Sequence, residues 1–291
     1  MDVTALAPVR LRTPVGRQCV QDMSNRLNPD LPELAAPAPL ATCLTGEPWW
    51  RYTEPFPHFV ATNVFVPQVQ TALEHALETA LSEASAGEPG APRVHRSDPG
   101  FSILPFQESH KALFPVILTL EWHDMLARLL DLDVTGDVDG GIHLHAAGSP
   151  PGWVHNDLSP GWFEPGRSVT VNLCDRTRSN YKSGQFYVTG AQPVMRARAA
   201  TMIYFLGNGK WEAGDGGETG LYDTPTTPVT APAKRIAPID NSLLLFTCTP
   251  HSWHAFLGKT QGPRHSLIMW LHRDMKEVES RSWGNCLVYW T

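Results

Sequence analysis

Hydrophobic rhythm divides the chain into three stretches. Residues 1–50 are rich in Pro and Ala and hold no period over any useful length, which predicts an extended arm with its boundary at residue 54. Ordered structure is expected from about Pro57. The β-branched and aromatic run HFVATNVFV (58–66) reads as a strand. Pro67 then opens a helix, a position that tolerates a missing N–H. Val69, Leu73, Leu77 and Leu81 recur every fourth residue beside Ala72, Ala76 and Ala80, one apolar face running to about Ser85 and ended by GEPGAPR. Leu118, Trp122, Leu126 and Leu130 mark a second helix over about 115–131. Both helices are expected to pack on one side of a sheet.

From about Gly140 the rhythm shortens. IHLHAA, RSVTVNLC, GQFYVTG, AATMIYFLG, TGLYD, KRIAP, NSLLLFTC and RHSLIMWLH follow one another between Gly and Pro breaks, and CLVYWT offers one more strand at the C-terminus. This is the pattern of an antiparallel sandwich or barrel. The expected fold is mainly β with flanking helices: helical support over 55–135, a β core over 136–275 and a tail over 276–291.

Composition narrows the class. Hydrophobic residues make up 42% and charged residues 18%, enough apolar material for a core. The 23 Lys+Arg against 29 Asp+Glu leave −6, which argues against a nucleic-acid partner. No run approaches the roughly 20 apolar residues of a membrane helix, so no membrane partner is expected. The start MDVTALAPVRLRTP lacks the apolar core of a secretory signal. Five scattered cysteines without a C-x-x-C predict reduced thiols in a cytoplasmic protein.

The most informative segment for chemistry is GWVHNDLSP. In extended chain, alternate side chains share a face, so His155 and Asp157 point the same way. An imidazole and a carboxylate make two thirds of a facial metal site. HSWHAF, directly after the strand NSLLLFTC, offers the third ligand as His254, 97 residues after Asp157, with His251 as the alternative. Two His and one carboxylate leave three open positions on an octahedral ion, which suits non-haem Fe(II). H-x-D alone is a weak signal. It gains weight from GPRHSLIMWL, where Arg264 and Ser266 are again i and i+2. A planar guanidinium beside a hydroxyl on a barrel wall is a receptor for a carboxylate, and a buried Arg without that use needs an acidic partner in the protein.

With PFPHFVATNVF, VHND, GDGGETGLYD, TPHSWHAF and RHSLIMWL in this order, the chain resembles the Fe(II)/2-oxoglutarate-dependent oxygenases over roughly residues 55–275, in particular the branch of prolyl hydroxylases and related small-molecule hydroxylases. The resemblance implies a double-stranded β-helix (jelly roll) as a single oxygenase domain over 55–291. It implies Fe(II) on His155, Asp157 and His254, the S-W-H-A pattern favouring His254 over His251. It also implies 2-oxoglutarate and O₂ as cosubstrates, with ascorbate as a supporting reductant, and the distal carboxylate of 2-oxoglutarate on Arg264 and Ser266. The family often carries a Tyr on the strand before H-x-D; here His145 stands close to that position. The run 175–196 looks like an insertion, expected as a hairpin over the site's mouth.

Trp153, Trp162, Tyr181 and His143 are the candidates for the substrate pocket, Trp153 because it shares the face of His155. The basic group Arg167, Arg176, Arg178 and Lys182 suggests an anionic substrate. The glycines of GDGGETGLYD read as a tight turn between strands. A cupin reading of His143 and His145 fails for want of a Glu, Asp157 argues against a halogenase, and a zinc hydrolase leaves Arg264 and Ser266 without a use. The expected function is hydroxylation of an unactivated C–H of a small molecule: an amino acid, a natural product or a nucleotide-like compound. The alternatives are a peptidyl prolyl hydroxylase and, from another class, a non-catalytic jelly-roll binding protein.

Overall fold

The computed structural model describes residues 40–86, 94–165, 169–176, 178–187, 190 and 192–289. Among them ten strands form one sheet. Its main path runs β1 (Trp50–Tyr52), β2 (His58–Ala61), β11 (Ser242–Thr247), β8 (Val194–Phe205), β13 (Arg264–Asp274), β5 (Asp137–His145), β4 (Phe101–Pro105) and β3 (His95–Asp98). Two strands lie off this path: β6 (Pro160–Phe163) on β8, and β7 (Asn172–Leu173) parallel to β5. A second sheet has the order β10 (Lys234–Ile236), β9 (Thr219–Tyr222) and β12 (Trp253–Phe256). Early and late strands interleave, so the fold is the expected double-stranded β-helix.

The period of two divides the large sheet into two faces. Leu267, Met269 and Leu271 of β13, Ala200, Met202 and Tyr204 of β8, and Leu243 and Leu245 of β11 face outward. They share one core with Leu73, Ala76, Leu77 and Ala80 of helix α1 (Pro67–Ala86) and Trp122, Met125 and Leu126 of helix α2 (Leu120–Leu129). The alternate residues Ile268, Trp270, Ile203, Phe205, Leu244 and Phe246 face inward and meet Leu221 and Ile236 of the smaller sheet. The helices therefore brace the outer face and leave the inner face for the site.

Several elements differ from expectation. The fold begins before Pro57: Leu40, Cys43 and Trp49 are buried in the main core, and β1 already pairs with β2. Hydrophobic burial, unseen in the Pro/Ala composition, draws residues 40–54 into the domain; the rest of the expected arm lies outside the described residues. HFVATNVFV pairs only through Ala61, because Asn63 turns left-handed at φ 49° before Phe65 bridges Leu44. Helix α2 starts at Leu120, where the Thr119 side chain caps the Trp122 amide at 3.2 Å. Among its described residues GQFYVTG keeps one bridge, Ser179–Phe186, in place of a strand, and RSVTVNLC shrinks to β7. CLVYWT is no strand as far as residue 289; Val288 donates one bond to the Leu158 carbonyl at 2.8 Å. Among the described residues, no helix is long and apolar enough to cross a membrane, and Cys174, Cys248 and Cys286 are free thiols.

Candidate active site

His155 and His254 form an isolated antiparallel bridge between the H-x-D segment and β12. Each amide donates to the other's carbonyl, at 3.0 and 2.8 Å, and the two rings come within 4.4 Å, centre to centre. His155 Nδ1 lies 2.8 Å from the Trp153 carbonyl, and His254 Nδ1 lies 3.1 Å from that of Ser252. A carbonyl can only accept, so each Nδ1 carries a proton and each Nε2 is the ring nitrogen turned towards the Asp157 carboxylate.

Asp157 follows by alternation, with Oδ1 at 3.8 Å from His155 Nε2 and Oδ2 at 3.5 Å from His254 Nε2. One ligand atom from each of the three lies within 4.8 Å of the others, and among the described residues no other His, Cys and carboxylate group of three does this. Burial, then the neighbouring His254, pulls the His155 imidazole down to about 4, with Asp157 opposing. Burial alone would raise the Asp157 carboxyl, but His254, Arg198 and His155 outweigh it and hold the group well below the usual range. A neutral imidazole and an ionised carboxylate are the states a divalent ion needs, so the donor set fits Fe(II).

The surroundings of Asp157 were not foreseen in the sequence. Thr201 Oγ1 and Trp270 Nε1 each donate to Oδ2 at 2.8 Å, and Arg198 Nη1 lies 3.3 Å from Oδ1. The Arg198 guanidinium stacks 3.5 Å over the Trp270 ring, and its Nη2 lies 3.8 Å from Asp139. Thr201 and Trp270 are register partners on β8 and β13, a pairing no local motif announces.

At the other end of the inner face, β13 sets Arg264 opposite His145 and Ser266 opposite His143 on β5. Arg264 is 3% exposed. Its Nη1 donates to Ser266 Oγ at 3.2 Å and its Nη2 to Thr219 Oγ1 at 3.1 Å. It forms no ion pair with any acidic side chain among the described residues. Burial draws it down to about 9, still a cation at neutral pH. Thr219, absent from the expected site, reaches it from the end of the Gly-rich turn; Gly216 there runs at φ 76°, where an added Cβ would meet the Lys259 carbonyl oxygen at 2.3 Å. His145 is stacked between Phe101 and Phe256, at 4.6 and 3.7 Å, and burial and then Arg264 push it down to about 2. His143, pushed down to about 3 by burial and then Arg264, lies edge-on to Trp270 and leaves Nε2 without a partner.

The remaining candidates separate. Trp153 is 57% exposed, 6.0 Å from the His155 ring. His251 is exposed in the turn before β12 and outside the His–Asp–His group. Tyr181 is buried and reaches the site only through neighbours: its hydroxyl lies 2.7 Å from His272 Nε2 and its ring 6.0 Å from the Arg198 guanidinium. Trp162 packs on Gly184 in the same loop. Of the basic group, Arg176 makes two bonds to Asp139, at 2.8 and 3.0 Å, and Arg178 pairs with Glu164 at 3.0 Å, so these charges are largely matched; Arg167 lies outside the described residues.

Residues 177–272 match the model of the 2OG-Fe(II) oxygenase superfamily, a span that contains His254, Arg264 and Ser266. The match covers 96 of the 291 residues, a third of the chain. Together with the His–Asp–His group, the match supports a non-haem iron dioxygenase dependent on 2-oxoglutarate, and Fe(II), 2-oxoglutarate and O₂ are the cofactor and cosubstrates the superfamily uses. No curated protein matches the chain. Among solved structures it is similar to a Pseudomonas putida prolyl-4-hydroxylase, at 15% identity over 74% of this chain and 92% of the other, with a TM-score of 0.45. A Trichoplax adhaerens prolyl hydroxylase in complex with a hypoxia inducible factor peptide fragment aligns at 14% identity over 92% and 93%, with a TM-score of 0.49. A viral collagen prolyl hydroxylase from Paramecium Bursaria Chlorella virus-1 aligns at 12% identity over 74% and 94%, with a TM-score of 0.45.

Proposed function

We propose that the oxygenase hydroxylates an unactivated C–H bond of a small molecule such as an amino acid, a natural product or a nucleotide-like compound. In this reading His155, Asp157 and His254 hold the iron, and Arg264 with Ser266 receives the distal carboxylate of 2-oxoglutarate while Thr219 steadies the guanidinium. His145 and His143, both neutral, form the wall beside the cosubstrate. They can donate a hydrogen bond but add no second charge, so Arg264 alone sets the electrostatic attraction. With its cofactor and cosubstrates bound, the site supplies oxidative decarboxylation of the keto acid to succinate and CO₂, coupled to oxygen insertion. Trp153, exposed beside His155, forms the lip over which substrate enters.

The observation that carries this reading is a buried Arg264 whose partners are hydroxyls, on the same inner wall as Trp270, which touches Asp157. A desolvated cation left without an anion is costly. Its retention follows if the anion arrives as cosubstrate.

The test is anaerobic addition of Fe(II) and 2-oxoglutarate, which is expected to give a visible metal-to-ligand charge-transfer band. Without the band, the chain is a binding module. In air, succinate release should be abolished in Asp157→Ala, whereas wild-type-like release from His155→Ala would refute the metal site. Release measured across amino acids, nucleotides and proline-containing peptides reads the substrate class. Stimulation by the peptides alone would make this a peptidyl prolyl hydroxylase.

A further inference from the structure

A carboxylate can ligate a metal through one oxygen or both, and the two modes leave different numbers of positions open. Each carboxylate oxygen has two lone pairs in the plane of the group. At Asp157, Oδ2 already accepts two bonds, from Thr201 Oγ1–H and Trp270 Nε1–H at 2.8 Å each, a number equal to its lone pairs, and lies 3.5 Å from His254 Nε2. Indole nitrogen is donor only, so the Trp270 bond has one direction. The Thr201 bond is also directed. Thr201 Oγ1 lies 3.2 Å from Cys248 Sγ, and burial raises that thiol to about 12, so it stays protonated and can donate to Thr201. The threonine proton is then free for Asp157. Oδ1 receives one longer contact, Arg198 Nη1 at 3.3 Å, and keeps a lone pair on the side of His155.

We infer that Thr201 and Trp270 are positioning residues that restrict Asp157 to one-oxygen ligation through Oδ1 and so hold one coordination position open. The inference rests on the iron reading above and adds a function to it. With two imidazoles and a single carboxylate oxygen, an octahedral ion has three positions left, enough for a two-point keto acid and O₂ together. With both oxygens bound it has two, and the keto acid would leave none for O₂. Arg198, stacked on the indole face, fixes the ring plane so that Nε1 stays aimed at Oδ2.

The experiment uses the full chain loaded with Mn(II), with Thr201→Val and Trp270→Phe singly and together. Both changes keep most of the shape and delete one donor each. Water-proton relaxivity of the Mn(II) protein reads the number of exchangeable waters, and calorimetry reads the affinities for Mn(II) and for 2-oxoglutarate. In the double variant, relaxivity should fall by about a third, the loss of one of three waters implied by the octahedral count. Mn(II) affinity should hold or rise, and with 2-oxoglutarate bound the double variant should keep no exchangeable water where the wild type keeps one. Thr201→Ser should behave as wild type. Unchanged relaxivity, with and without 2-oxoglutarate, would overturn the inference. So would parallel loss of metal and cosubstrate affinity, which would mean that the donors merely hold the ligand in place. Failure of the wild-type protein to bind Mn(II) would instead overturn the metal site itself.

Discussion

Arg264 concentrates the balance between stability and use at a single side chain. It is buried among Phe205, Phe256 and two hydroxyls, and its Nε has no partner. A hydrogen bond to a charged group contributes roughly 1.5–3 kcal/mol, so losing a two-point grip on a carboxylate weakens binding by at least about 100-fold. Arg264→Met is therefore expected to raise the dissociation constant of 2-oxoglutarate by about that factor and to leave Mn(II) binding within a few-fold. It should also leave the melting temperature of the metal-free protein equal or higher, because a desolvated cation has been removed. Arg264→Lys should fall between, keeping the charge and losing the fork. Calorimetry and thermal unfolding check both halves.

At the scale of elements, the segment between β7 and β8 is held by shape as much as by bonds. Gly161 on β6 leaves room for the Tyr181 ring; a Cβ there would sit 2.1 Å from it. The ring then meets Phe163 edge-on and its hydroxyl reaches His272. Gly161→Ala should expel the ring, break the Tyr181–His272 bond and cost about 1–3 kcal/mol, the usual scale of overpacking. Expected readouts are a lower melting temperature and faster proteolysis within 176–187, with Mn(II) affinity nearly unchanged. Equal proteolysis of variant and wild type would show that Tyr181 does not anchor the loop. Sequence alternation alone did not place this segment: GQFYVTG reads as a strand, yet its partner would have had to be another strand, and the chain presents the loop of β6 and the end of β13 instead.

Across the whole molecule, buried neutral histidines set the response to acid. His58, His110 and His272 are each fully buried, and burial lowers all three to about 4. The unfolded chain binds protons near the usual value of about 6.5, while the folded chain refuses them until about 4. Stability from these groups is thus present above about pH 6.5 and is lost as pH falls through that window, at a rate of at most about 1.4 kcal/mol per histidine for each pH unit. The melting temperature of the metal-free protein should be flat from pH 8 to 7 and fall steadily from about 6.5 to 4. Replacing His110, whose Nε2 has no partner, by Phe should flatten part of that fall. An unaltered slope would assign the fall to other groups.

What could be read along the chain and what could not differ by the range of the interaction. The four-residue period of Val69, Leu73, Leu77 and Leu81 dictates helix α1, and the two-residue period of the late strands dictates their inner and outer faces, because both periods are local backbone geometry. The same geometry aligns His155 with Asp157 and Arg264 with Ser266, so the chemistry of both ends of the site was readable as two short motifs. Register was not. Which threonine on β8 meets Asp157, which tryptophan on β13 caps the same oxygen, and that His155 pairs with His254 across 99 residues depend on strand order and shear, set by burial of both faces at once. Leu40 and Trp49 joined the core for the same reason, despite a Pro/Ala-rich context. The amino-acid sequence by itself thus determined the strongly periodic elements and the donor atoms of the two short motifs. The tertiary structure alone decided their surroundings, because hydrogen-bond partners distant in the chain are chosen by packing and not by spacing.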